Sequence, residues 1–135
     1  MNAIQPITAT PVAAAQTLAF LPKHFGQHFM QGEAQTYQWA GKLSASYRNG
    51  LWKFFELSND GFYLAPSTPE RFVIESINGY SGDVSADAAG IIFTLFALNV
   101  LANRTQEDRL IEKYFFLREF ALAHPEAVAI LRAID

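Results

Sequence analysis

Ser85-Ala86-Asp87-Ala88-Ala89-Gly90-Ile91-Ile92-Phe93-Thr94-Leu95-Phe96-Ala97-Leu98-Asn99-Val100-Leu101-Ala102-Asn103 is the stretch on which the fold turns. From Ala88 to Leu98 only Gly90 and Thr94 interrupt the apolar run, so no face reads as a polar surface. A helix apolar all round must be covered, either by the rest of the chain or by lipid. Lipid is the poorer cover, because a span needs about 20 apolar residues and this run is bounded by Asp87 and Asn99. The segment therefore reads as the central buried helix, near 85–103, of a small soluble domain. Ser85 suits its N-cap, Asp83 and Asp87 set negative charge at the positive end of the helix, and Asn103-Arg104 closes it.

Upstream of this helix the pattern changes period. Leu51-Trp52-Lys53-Phe54-Phe55-Glu56-Leu57 is short, aromatic and bounded by turn residues, which predicts a strand. Ser58-Asn59-Asp60-Gly61 follows as a hairpin loop, with Asn59 and Gly61 tolerant of positive φ, and Phe62-Tyr63-Leu64-Ala65 is the return strand. A third strand is predicted over 71–77, where Phe72 and Ile74 alternate with Arg71 and Glu75. Asn78-Gly79 and Tyr80-Ser81-Gly82 read as a flexible turn into the central helix. Before the strands, Tyr37, Ala40, Leu43 and Tyr47 recur at helical spacing, predicting a helix over 33–47 that Asn49-Gly50 ends. Earlier still, Gln16 to Phe20 form a helical turn, and Phe20, Leu21 and Phe25 anchor the chain.

Downstream, Thr105-x-x-Asp108 has the spacing of a capping box. The helix it opens buries Leu110, Ile111, Tyr114, Leu117, Phe120 and Ala121. His124-Pro125 breaks the chain, and Pro125 fits the first position of a last helix with Ala127, Ile130, Leu131 and Ile134 inward. The expected fold is segregated α+β: a small three-stranded antiparallel meander packed with about four helices. Residues 1–15 are expected to be a flexible arm and 16–135 a single domain.

Composition narrows the function. There is no cysteine, so neither a disulfide framework nor a thiolate zinc site is available. The N-terminus, Met1-Asn2-Ala3-Ile4-Gln5-Pro6, lacks the basic and long apolar regions of a signal peptide, which points to the cytoplasm. The net charge is −3, with ten Lys and Arg scattered singly apart from Arg104, Arg109 and Lys113. A nucleic-acid binder would normally carry a cationic stripe. A protein imitating DNA would need carboxylates at close to phosphate density, one charge per roughly 1.7 Å of axis. Thirteen Asp and Glu spread along the chain do not supply it.

No constellation of catalytic residues stands out. His24-Phe25-Gly26-Gln27-His28 is the one metal-like spacing, with Glu33 or His124 as further ligands, but Gly26 and Pro22 disturb the helix it needs. Asp83 and Asp87 could form an acidic pair for acid–base work, yet helix capping accounts for both. Ser81 and Ser85 have no nearby histidine or nucleophile elbow, and Gly79-x-x-Gly82 lacks the ending of a phosphate loop. Neither a cofactor nor a metal is expected. The aromatics, twelve Phe, five Tyr and two Trp, are mostly core; Trp52, Phe54 and Phe55 lie on a strand apolar on both faces and could meet a partner. Asp135 places a carboxylate beside the chain-end carboxylate at the negative pole of a helix, where cations are preferred. That anionic tip either frays into water or docks on a cationic partner.

Taken together, several motifs resemble the ArdB/KlcA antirestriction family. They are Phe20-Leu21-Pro22-Lys23-His24-Phe25-Gly26, the hairpin from Leu57 to Pro66, and Gly79-Tyr80-Ser81-Gly82-Asp83-Val84-Ser85-Ala86-Asp87-Ala88-Ala89-Gly90. Thr94 to Leu98, Leu117 to Ala121, His124-Pro125-Glu126-Ala127 and the ending Ala133-Ile134-Asp135 complete the set. The likeness covers residues 18–135, and Ser-Ala-Asp-Ala-Ala-Gly and His-Pro-Glu-Ala are its more specific parts. It implies a protein of plasmids and other mobile elements that protects incoming DNA from host type I restriction-modification systems. The family offers no catalytic residues to carry over. The expected partner is the host type I restriction-modification complex, reached directly or indirectly, with no strong nucleic-acid binding, no membrane and no small-molecule ligand. Asp135, Trp52, Asp60 and Asp83 are the candidate contact residues. The alternative is a DNA-associated protein that blocks translocation of the restriction enzyme along the duplex.

Overall fold

The computed structural model describes residues 5–135, so the readings that rest on residues 1–4 lie outside the described residues. The strands are β1 (Ala9–Pro11), β2 (Trp52–Leu57), β3 (Phe62–Pro66), β4 (Phe72–Glu75) and β5 (Ser81–Val84). The helices are α1 (Thr17–Phe25), α2 (Phe29–Leu43), α3 (Ala86–Thr105), α4 (Asp108–Leu122) and α5 (Ala127–Ile134). The fold is α+β, with two small antiparallel sheets packed around α3.

α3 is the predicted central helix. Every residue from Ala88 to Leu98 is buried, and α2, β3, α4 and α5 pack around it. It is long and apolar enough to cross a membrane, but 78% of that window is buried inside the protein. The Ser85 hydroxyl caps it by accepting the Ala88 N–H (3.1 Å). The two residues that break the apolar run, one turn apart, are where the helix meets β3. A Cβ on Gly90 would overlap the Ala65 Cα and the Leu64 carbonyl, so only glycine lets the helix approach this closely. Thr94 Oγ1 donates to the Gly90 carbonyl (2.8 Å) and accepts the Leu64 N–H (3.1 Å). β3 is an edge strand of its sheet, and a buried edge amide without a partner costs free energy. The Thr94 hydroxyl takes the place of a further strand.

The three-stranded sheet runs β1-β2-β3, so its third member is the segment 9–11 rather than 71–77. Part of the stretch expected to be a loose arm is therefore strand: Ala9 pairs with Leu57 and Pro11 with Phe55. Segment 71–77 supplies β4, which pairs with β5, Phe72 opposite Val84 and Glu75 opposite Ser81. The residues read as a flexible turn thus become half of a second hairpin. Its alternation gives the reason: Phe72, Ile74 and Val84 are buried, while Val73, Glu75 and Asp83 face out.

Other boundaries shift for local reasons. α2 starts and ends one turn earlier than expected, and Ser44 is already extended. The weak helix formers Ser44 and Ser46 yield there, and Tyr47 packs on Trp52 (5.9 Å between ring centroids) instead of continuing the helix. In the β2–β3 loop the left-handed residue is Asp60 (φ 74°) rather than Asn59 or Gly61. Asn59 instead accepts the Gly61 N–H and donates to the Phe116 carbonyl, both at 3.0 Å. Thr105 belongs to α3, donating to Leu101, and the chain turns at Gln106 (φ 58°); no side chain caps α4, so the capping box does not form. α5 begins at Ala127, two residues past Pro125. On α4, Leu110, Leu117 and Ala121 are buried, whereas Ile111 turns outward.

Candidate functional site

The two most specific motif segments, 85–90 and 124–127, lie 34 or more residues apart in the chain and meet in space. Ser85 donates both its backbone N–H (2.9 Å) and its hydroxyl (2.5 Å) to the Glu126 carboxylate. Two residues on, Asp87 Oδ2 lies 2.8 Å from His124 Nε2, and Tyr63 donates its hydroxyl to Asp87 Oδ1 (2.6 Å). The backbone N–H of Glu126 donates to His124 Nδ1 (2.9 Å). That bond fixes Nδ1 as the acceptor and leaves the ring proton on Nε2, aimed at Asp87. Arg71 joins the edge of this clasp through Asp83 and, at 3.7 Å, Glu126.

The electrostatics follow from these contacts. Burial works to raise the Asp87 carboxyl, but hydrogen bonds from His124 and Tyr63 outweigh it and hold the group below its ordinary value. Tyr63 is pushed up, by burial first, then by its hydrogen bond to Asp87 and by that group's charge. Asp87 stays an anion, Tyr63 stays a phenol, and both imidazole nitrogens are occupied. A histidine with no free lone pair is not placed to act as a general base, and the Ser85 hydroxyl is spent on Glu126 and the helix cap. The chemistry available here is that of a lock between the start of α3 and the α4–α5 corner. Asp87 also lines an open depression of about 440 Å³ with Lys53, Phe55, Ser67 and Thr68.

A second ion cluster joins α1 to β2. His24 is 1% exposed, stacked on Phe62 (4.5 Å), with Nε2 3.0 Å from both Glu56 oxygens. Lys23 donates to the same carboxylate (3.0 Å). Burial, with Lys113 and Lys23 nearby and only partly offset by Glu56, lowers His24 to about 4, so its ring is neutral at pH 7. His28 meets Glu107 at 3.1 Å, and Glu33 accepts from Tyr37 (3.1 Å). The three histidines thus each have a different carboxylate. Among the described residues no three His, Asp or Glu side chains are disposed to hold a metal ion.

The candidate contact residues are dispersed. Asp83 pairs with Arg71, and Asp135 lies 3.6 Å from Arg118. Asp60 offers its carbonyl to Lys113 Nζ (2.5 Å). Trp52 is half-buried, donating to the Tyr47 hydroxyl (3.1 Å) and packed near Tyr37 and Phe93. Phe54 and Phe55, expected at a surface with it, stack on Phe20 and Tyr63. Neither Tyr63 nor Glu126 is singled out from the sequence, and His124 is named there only as a further metal ligand. Their motifs were visible, but no spacing in the sequence links 85–87 to 124–126.

The sequence profile of the antirestriction proteins matches residues 45–135, which takes in both halves of the clasp. The chain belongs to the antirestriction protein family. It is 52% identical to the antirestriction protein KlcA of Escherichia coli, over 97% of this chain and 96% of that one. The putative antirestriction protein YubI of E. coli K12 is 32% identical over the full length of both. A solved structure superposes with a TM-score of 0.91 at 50% identity, covering both chains entirely. It comes from work describing a novel fold for KlcA and ArdB and antirestriction activity against type I DNA restriction systems in vivo but not in vitro.

Proposed function

We propose that this protein inhibits host type I restriction-modification systems by protein contact, acting in the cytoplasm, without catalysis and without imitating DNA. The observation that carries the reading is the state of its carboxylates. Glu56, Asp83, Asp87, Glu107, Glu126 and Asp135 each have a cation or histidine within 4 Å. Dispersed anions, four of them within 4 Å of a lysine or arginine, do not project the dense field of a phosphate backbone. The pairing of the Ser85 and His124 side chains supports the absence of a nucleophile–base couple. The activity of KlcA and ArdB in vivo but not in vitro favours a route through an accessory cellular component over direct contact alone. Asp135, Asp60, Asp83 and Trp52 remain the proposed contact residues.

Plating unmodified phage on a type I restricting host, with and without the protein, tests the function: protection is expected, and its absence overturns the reading. Binding to the restriction complex should weaken only mildly between low and moderate salt. A steep fall would signal counterion release and favour a DNA-like or DNA-bound mode.

A further inference from the structure

α4 carries a second apolar row that the core does not use. Ile111, Phe115 and Leu122 recur at helical spacing on its outer face, with Arg118, drawn aside to Asp135, between the last two, and Phe115 is 58% exposed. Asp108, Glu112 and Glu119 run alongside at the same spacing, all exposed, and none of the three pairs with a cation among the described residues. On the other flank the row borders a groove of about 230 Å³ between α3 and α4, edged by the neutral amides of Asn99, Asn103 and Gln106. An apolar stripe between an acidic rail and an amide-lined groove fits one kind of occupant. A helix with apolar residues one turn apart can lie along the stripe, and Lys or Arg on its near edge can reach the carboxylates.

The alternatives are disfavoured by the same charges. An anionic lipid surface or a nucleic acid would meet three uncompensated carboxylates. A second copy laid antiparallel on this face would set acidic rail against acidic rail, because like flanking positions face each other in antiparallel helix pairs. We propose that the outer face of α4 is a docking site for an amphipathic basic helix of a protein partner. This rests on the protein-contact reading above and names the chemistry of the contact.

The full-length protein is titrated with a designed amphipathic helix of Leu and Lys, and with its Leu and Glu counterpart. The Leu/Lys peptide should bind and the Leu/Glu peptide should not. Ile111→Ser with Phe115→Ser, and separately Glu112→Lys with Glu119→Lys, should each weaken binding by about tenfold or more, the scale of losing a buried anchor or its charge partners. All four positions are exposed, so the circular-dichroism melts should match wild type. In the plating assay both variants should lose protection. If wild type does not protect, the antirestriction reading falls while the peptide titration still reads the docking site. No Leu/Lys binding, or equal binding by the variants, overturns the docking site. So does self-association in sedimentation that Phe115→Ser abolishes, or binding to phosphatidylglycerol-containing vesicles.

Discussion

Asp87 Oδ2 and His124 Nε2 sit 2.8 Å apart, 37 residues apart in the chain, with the Tyr63 hydroxyl on the other oxygen of the same carboxylate. One carboxylate thereby joins the start of α3, the return strand β3 and the corner before α5. Replacing it by Asp87→Ala strands two donors, one on a tyrosine that is 2% exposed. A buried donor left without an acceptor costs about 1–3 kcal/mol. Chemical denaturation should show a loss on that scale. Asp87→Asn, which keeps an acceptor for one of them, should lose less.

Ser85 and Glu126 form the other half of the clasp, and they should behave as a unit. Ser85→Ala removes the cap of a 20-residue helix, worth about 1 kcal/mol on its own, and also one donor to Glu126. The Ser85→Ala, Glu126→Gln and double variants, measured by urea denaturation, should give a coupling energy of about 0.5–3 kcal/mol. Additive losses would mean that the two side chains merely lie close.

His24 sets the pH dependence. Its ring is lowered from 6.5 to about 4 in the fold, chiefly by burial. Between these values the unfolded chain binds a proton that the folded chain refuses, so acidification favours unfolding. Stability should be level above about pH 7 and fall as pH drops through 6.5 towards 4, by roughly 3 kcal/mol at 1.36 kcal/mol per unit. Glu56, held low by His24 and Lys23, adds to the loss further down, in the carboxylate range. His24→Phe keeps the stacking against Phe20 and Phe62 and should flatten the upper part of the curve.

How far the sequence reveals this arrangement depends on the range of the interaction. The character of α3, the β2–β3 hairpin and the Ser85 cap are local matters of apolar run, turn chemistry and N-cap preference, and each is readable in sequence. Gly90 and Thr94 were visible as interruptions, though not as the points where α3 touches β3. The pairing of β1 with β2 was not readable, because Ala9-Thr10-Pro11 is too short to show an alternation. Nor was the second hairpin, whose β5 contains Gly82 and passes for a turn until Val84 is seen to be buried opposite Phe72. The clasp sits between these cases: its halves carry the most distinctive motifs, and only the folded chain brings them together.

The Gly90–Thr94 seam gives a test of the core. Gly90→Ala sets a methyl against the β3 backbone, which cannot move aside as a flexible side chain could. Overpacking of this kind costs about 1–3 kcal/mol. Thr94→Val keeps the shape but removes the acceptor for the Leu64 N–H, for a further cost of about 1–3 kcal/mol. Both melting temperatures should fall, and hydrogen exchange at the Leu64 amide should accelerate in Thr94→Val ahead of its neighbours.

Asp135 separates contact from stability. The end of α5 is already held by Ser76, which donates to the Ala133 carbonyl (2.5 Å), and by Asn78, which donates to that of Arg132 (2.8 Å). The Asp135 side chain is 60% exposed and only 3.6 Å from Arg118, a surface pair of the kind that contributes about 0–1 kcal/mol. Asp135→Asn should therefore lower the melting temperature by no more than about 4 °C. If the Asp135 carboxylate meets a cationic patch of the partner, the same variant should lose protection in the plating assay. Unchanged protection together with unchanged folding would remove Asp135 from the contact surface.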